Sequence, residues 1–185
     1  IRHPDVNIDL RERLSHSIVR AVSEGLTDIG IVAGMVRTEN LQTVPYRRDR
    51  LVLVVPRGHE LSPLTEINFT DTLKYDHVGL HESSAIHGFL RQICDQYHRH
   101  IKQRIQVGNF ETACRMIEAG VGIGILPESA ASRHAQTTAI ELIQLTDPWA
   151  IRQMLMCVRS FDALPGYANE LVDLLVEDAR LAETR

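Results

Sequence analysis

The stretch VGNFETACRMIEAGVGIGILPES, residues 107–129, decides how this chain is read. Asn109 is placed to cap a helix, Glu111 falls in its first turn, and Gly120 supplies a left-handed stop. The preceding QRIQVG leads in as a strand, and VGIGILP follows as a glycine-interrupted strand closed by Pro127. Because GVGIG enters a strand and not a helix, it lacks the placement of a dinucleotide-binding fingerprint. Its glycines are read as allowing close backbone packing.

Working outward, the same strand–helix alternation covers the chain. DHVGL reads as a strand, and Ile86, Phe89, Leu90, Ile93 and Tyr97 recur at helical spacing to about residue 98. Towards the amino end, VNIDLRE reads as a strand. SHSIVRAVSEG reads as a helix with Ile18, Val19 and Val22 on one face, capped by Ser15 or Ser17 and stopped at Gly25. DIGIVAG is the next strand, and Leu51 to Val55 form an apolar run suited to burial on both faces. A short helix near residues 70–74 follows. Beyond the opening stretch, AIELIQL and IRQMLMCVR read as strands, then a helix over about 165–181 sets Leu171, Leu174 and Leu175 on its apolar side. YRRDR, residues 46–50, is a short basic patch read as a solvated turn between strands.

The chain has 185 residues, 44% of them hydrophobic and 24% charged, enough to bury a core in one or two lobes. A net charge of -4 lacks the basic excess that phosphate neutralisation requires, so this stretch of protein is not expected to bind DNA itself. The three cysteines, Cys94, Cys114 and Cys157, are far apart in apolar patterns and read as buried free thiols in a reducing compartment. No apolar run is long enough to span a membrane. The chain opens on IRHPDVNIDL, without an initiator methionine or a signal-peptide pattern, and reads as starting inside a longer protein.

HESSAIHGF, residues 81–89, sets the question of chemistry. His81 and Glu82 invite comparison with zinc-protease helices, but the next histidine, His87, is six residues on. Six helical steps turn through roughly 600°, leaving the imidazoles about 120° apart and unable to share an ion. Cys94, His98 and His100 are better explained by basic residues near a helix carboxyl end than by a metal. There is no nucleophile elbow and no phosphate-binding P-loop, so no catalytic residues, metal or cofactor are expected.

Alternating β–α units imply mostly parallel sheets whose ligands sit beyond the carboxyl ends of the strands. Three polar strand-to-helix turns then stand out: ERLSHS (12–17), HESSA (81–85) and GNFET (108–112). Free N–H groups and the positive end of each helix suit a small anion, although Ser15, Ser83, Ser84 and Asn109 are equally explained as caps.

Taken in order, HPDVNIDLRERLSHSIVRAVSEGLTDIGIVAG, LVLVVPRGHELS and VGNFETACRMIEAGVGIGILPES resemble the effector-binding domain of LysR-type transcriptional regulators. The resemblance covers nearly the whole chain. It implies an α/β fold of two Rossmann-like lobes, mostly parallel, joined by two crossover strands as in type 2 periplasmic binding proteins. Lobe I would be 1–75 and 150–185, and lobe II 76–149. It further implies a first strand and helix before Ile1, and an amino-terminal helix-turn-helix that alone contacts DNA. The partners would be a small-molecule effector and further copies of the chain, as a homodimer or homotetramer in the cytoplasm, with no membrane. Carried over by position, the ligand contacts would be Ser15, His16 and Ala33 in the first lobe. In the second they would be Glu82, Ser83 and Ser84, with Gly108, Asn109 and Phe110 opposite. A solute-binding protein of a transport system is the alternative, separated by what precedes Ile1.

Overall fold

The structure, a computed structural model, describes residues 4–33, 36–38 and 40–183. Eight strands are described: β1 (Gly30–Ala33), β2 (Gln42–Pro56), β3 (Glu66–Ile67), β4 (Asp76–Leu80), β5 (Lys102–Val107), β6 (Gly124–Pro127), β7 (Ile140–Leu145) and β8 (Ile151–Val158). The helices are α1 (Ser15–Ser23), α2 (Phe69–Thr72), α3 (Ala85–Gln96), α4 (Phe110–Glu118), α5 (Glu128–Ala135) and α6 (Gly166–Glu183). The chain divides into two compact units, residues 1–48 with 152–185, and residues 49–151.

This division falls at 48/49, inside β2, where the resemblance places the lobe boundary at residue 75. The reason is pairing: Leu51–Val54 lie against β6, and Val52–Pro56 lie against β7. Both ladders are antiparallel, and β1 pairs antiparallel with β8, while β3–β7 and β4–β5 are parallel. The described sheets are thus mixed, because the long strand β2 runs against both of its second-unit neighbours.

In the second unit, a parallel bridge from His77 to Ile123 continues the sheet from β5 and β4 to β6, and then through β2 and β7 to β3. Leu51 to Val55 are all at most 1% exposed, which identifies the apolar run as the central strand. Helix α4 buries Ala113, Cys114 and Ile117. Its end follows from the sequence: Gly120 takes a φ of 74°, and Val121 N–H reaches back to Met116 O at 3.1 Å. Helix α5, which the sequence reading passes over, starts at Pro127 with Glu128 in its first turn and Arg133 and His134 in its last. Asp147, a buried carboxylate, accepts Phe69 N–H at 2.7 Å and anchors α2. Trp149 stacks edge-on with Phe69 of α2 and Phe89 of α3.

The first unit is smaller. Val22, Val32 and Cys157 form its buried centre, flanked by Ile18, Val19, Leu41 and Leu155. Gly25 stops α1 at a φ of 73°, as expected. Residues 6–14, expected to begin as a strand, have no regular secondary structure; Arg11 pairs locally with Asp9 at 2.6 Å, and Ile8 and Leu10 are exposed. YRRDR is not a turn but the middle of β2, where Arg47 pairs with Asp178 of α6 at 3.0 Å. On α6 Ala168, Val172 and Ala179 are buried and Leu171 and Leu175 half-buried, while Leu174, expected on the apolar side, is exposed. Gly34, last in the DIGIVAG strand, lies outside the described residues.

All three cysteines are buried and free. Burial raises each thiol pKa above its ordinary value, so these groups stay protonated and unreactive.

Candidate functional site

The second-unit candidates are assembled by the parallel pair β4–β5. Leu80 and Val107 are register partners, and His81 N–H donates to Val107 O at 2.9 Å. That bond holds the turn at 81–84 beside the turn at 108–110, both at carboxyl ends of neighbouring strands, where open α/β sheets place ligands.

Each turn opens a helix. Ser84 Oγ accepts Ile86 N–H at 3.2 Å and caps α3; Asn109 Oδ1 accepts Thr112 N–H at 2.8 Å and caps α4. Capping uses one acceptor of each side chain and leaves the Ser84 hydroxyl proton and the Asn109 amide N–H groups to offer as donors. Ser83 is exposed, and its Oγ lies 3.0 Å from His81 Nδ1. His81 therefore belongs to this turn; the positional reading omits it, although the His-x-Ser spacing permits this contact. Gly108 is exposed, with open space where a Cβ would stand. Phe110 is half-buried and packs on the second-unit core. Glu82 is exposed and borders a cavity beside α3.

In the first unit, Ala33 N–H donates to Ser15 Oγ at 3.2 Å, so the start of α1 and the end of β1 are brought together. Ser15 is not the cap of α1: Leu14 occupies that position and makes no side-chain capping bond. His16 is exposed at the first turn.

Beneath the second-unit turns, at the start of β4, His77 is buried at 2% exposure. Its Nδ1 lies 3.0 Å from Tyr75 O and its Nε2 3.4 Å from Thr72 Oγ1. Burial holds its pKa below the ordinary 6.5, against the smaller pulls of Tyr75 O and Asp76. The unfolded chain thus takes up the proton more readily, and stability declines as pH falls below 6.5. In thermal melts across that range, His77→Gln is expected to flatten the decline; an unchanged slope would assign it to other groups. Next to it, Lys102 and Arg104 each reach Asp76 at 2.8 Å and hold its carboxyl below the usual range. Both cations reach it because the β4–β5 register slips after His77, leaving Arg104 as an extra residue.

Among the described residues, no group of three His, Cys, Asp or Glu side chains is placed to hold a metal ion, and no helix is long and apolar enough to cross a membrane.

Comparison with known proteins adds three findings. The family model described as the LysR substrate binding domain matches residues 2–180. A probable RuBisCO transcriptional regulator from Trieres chinensis is 26% identical over 184 residues, covering 95% of this chain and 58% of the relative. An uncharacterized HTH-type transcriptional regulator of Escherichia coli, YbhD, is 25% identical, covering 95% of this chain and 56% of its own length. The chain thus spans little more than half of these relatives. Among solved structures, the regulatory domain of Synechocystis CcmR in complex with 2-PG aligns with a TM-score of 0.77 at 16% identity, covering 96% of this chain and 86% of that one. The BenM effector binding domain with its effector benzoate aligns with a TM-score of 0.69 at 20% identity, covering 99% and 82%. At these identities the structural likeness concerns the fold, which is the type 2 periplasmic-binding-like α/β fold expected from the sequence.

Proposed function

The chain belongs to the LysR substrate-binding domain family, and from that membership we propose that it is the effector-sensing part of a longer transcriptional regulator. The whole protein would bind DNA through a separate helix-turn-helix region, work in the cytoplasm as a homodimer or homotetramer, and catalyse nothing. The buried free thiols fit a reducing compartment.

The reading rests on one observation above the rest: two capped helix starts stand side by side at the ends of parallel strands, with hydroxyl and amide donors at each. Such ends favour a negative or polar group, so the proposed effector is a small anion or an amino-acid-like molecule. In the second unit contacts are proposed at Ser83, Ser84, Gly108, Asn109 and Phe110; within the first unit, Ser15, His16 and Ala33 are proposed as ligand contacts. Benzoate, shikimate and 2-PG are named as ligands of structural neighbours and make a reasonable first panel of probes. An effector regulates only by its difference in affinity for two states of the regulator.

The test is a titration of the isotopically labelled chain with that panel. Amide shifts clustered at 81–85 and 108–112 support the reading, and Ser83→Ala should weaken binding about tenfold while leaving the melting temperature unchanged. Asn109→Ala should weaken binding and also cost about 1 kcal/mol of stability through the lost cap. Binding that shifts neither turn would sink the assignment.

A further inference from the structure

The cavity bordered by Glu82, of about 580 Å³, lies wholly within the second unit, between α3 and the outer strand β5. That volume falls within the roughly 300–1,000 Å³ typical of small-molecule sites. Its floor is apolar: Val78 and Leu80 from β4, Ile86 and Leu90 from α3, and Ile125 from β6, all under 9% exposed.

The rim is charged in a particular order. Arg91 and Asp95 both border the cavity, one helical turn apart on α3 and one residue on from the inward-facing Leu90 and Cys94. At that spacing a guanidinium and a carboxylate ordinarily face each other, with about 5–6 Å between their Cβ atoms. Here they form no ion pair, and among the described residues neither side chain has a hydrogen-bond partner. Arg104, on the opposite rim, is engaged by Asp76. An unpaired cation and an unpaired anion above an apolar floor are what recognition of a zwitterion with an apolar body requires: the guanidinium takes a carboxylate, and the Asp95 carboxylate takes an ammonium.

We propose that this cavity binds a free α-amino acid or dipeptide with a large apolar side chain, seated between α3 and β5; of the turns at 81–84 and 108–110, only Glu82 among the described residues borders it. The side chain would displace water from Val78, Leu80 and Leu90, and the head group would bridge Arg91 and Asp95. Hydrogen-bonding both charges at once is what separates such a ligand from simple apolar acids and amines.

The test is a titration of the labelled 185-residue chain with L-phenylalanine, 3-phenylpropionate and phenethylamine; the last two each lack one charge. L-phenylalanine is expected to shift amides within 86–95 and 101–106, with each analogue binding about tenfold more weakly or worse. Arg91→Gln, at an exposed position, should reduce about tenfold the L-phenylalanine affinity read from those amides. If Arg91→Gln disturbs the fold, the analogue series decides alone. Three results would overturn the proposal: no shift in those segments at millimolar ligand, equal binding by 3-phenylpropionate as read from those same segments, or shifts confined to 81–84 and 108–112. The last result would place the amino acid at the effector turns and leave that separate assignment standing.

Discussion

Replacing Gly122 by alanine is expected to cost about 3 kcal/mol or more and to lower the melting temperature by roughly 10 °C in a chain of this size. A Cβ on Gly122 would stand 2.4 Å from Asp76 O and 3.0 Å from Asp76 C, well inside contact distance. The obstacle is backbone, so no rotamer change relieves it. That backbone is also where Ile123 N–H reaches Asp76 O at 2.9 Å and Val78 N–H reaches Ile123 O at 2.7 Å, the bonds that join β4 to the strand entering β6. Room for the methyl group therefore comes only from loosening the join between two parts of the second-unit sheet. Calorimetry on Gly122→Ala beside Gly108→Ala, where a Cβ meets open space, checks the argument; equal melting points would refute it.

The second large effect is expected at Leu53. It is fully buried in the central strand, with Ile125 and Ile143 as register partners on either side. Truncation to alanine removes apolar burial and leaves a void that hydrogen-bonded neighbours on both flanks cannot close, a cost of about 3–5 kcal/mol. Denaturant unfolding measures it directly, and a loss under about 1 kcal/mol would mean that the neighbouring strands collapse after all.

Gly122 also shows how much of this fold the sequence discloses. The opening stretch supplies strand, cap, helix, glycine stop and strand in their observed places, because each boundary is set by local chemistry: an Asn109 side chain, a left-handed Gly120, a closing Pro127. Residues 46–50 escape that reading because their strand character is tertiary. Three arginines and an aspartate in five positions carry no apolar alternation, and their conformation is fixed by β2 pairing and by partners such as Asp178 and Gln144, far away in sequence. On α6 the leucine spacing marks Leu171 and Leu175, which are half-buried, but misses Ala168 and Ala179, whose burial depends on what the helix packs against, and wrongly includes the exposed Leu174. At the site, Ser83, Ser84, Gly108 and Asn109 are found side by side because adjacent parallel strands end there, a juxtaposition the alternating pattern implies. Glu82 and Arg91 share a cavity border for a reason no linear pattern encodes: it depends on how far α3 stands from β5.

The discontinuity of the first unit has a consequence for how the protein emerges from the ribosome. Residues 49–151 carry a complete sheet, its helices and the larger core in one uninterrupted run, so this unit can close as soon as β7 and Trp149 have left the exit tunnel. The earlier-made residues 15–33 cannot, since among the described residues β1 pairs with β8, more than 110 residues later. The order of birth and the order of folding are therefore reversed. Helix α1 and strand β1 wait, with Val22 and Val32 uncovered, until β8 arrives with Cys157. A stalled or truncated translation product would carry a folded second unit and an exposed first one, a state suited to capture by chaperones and proteases.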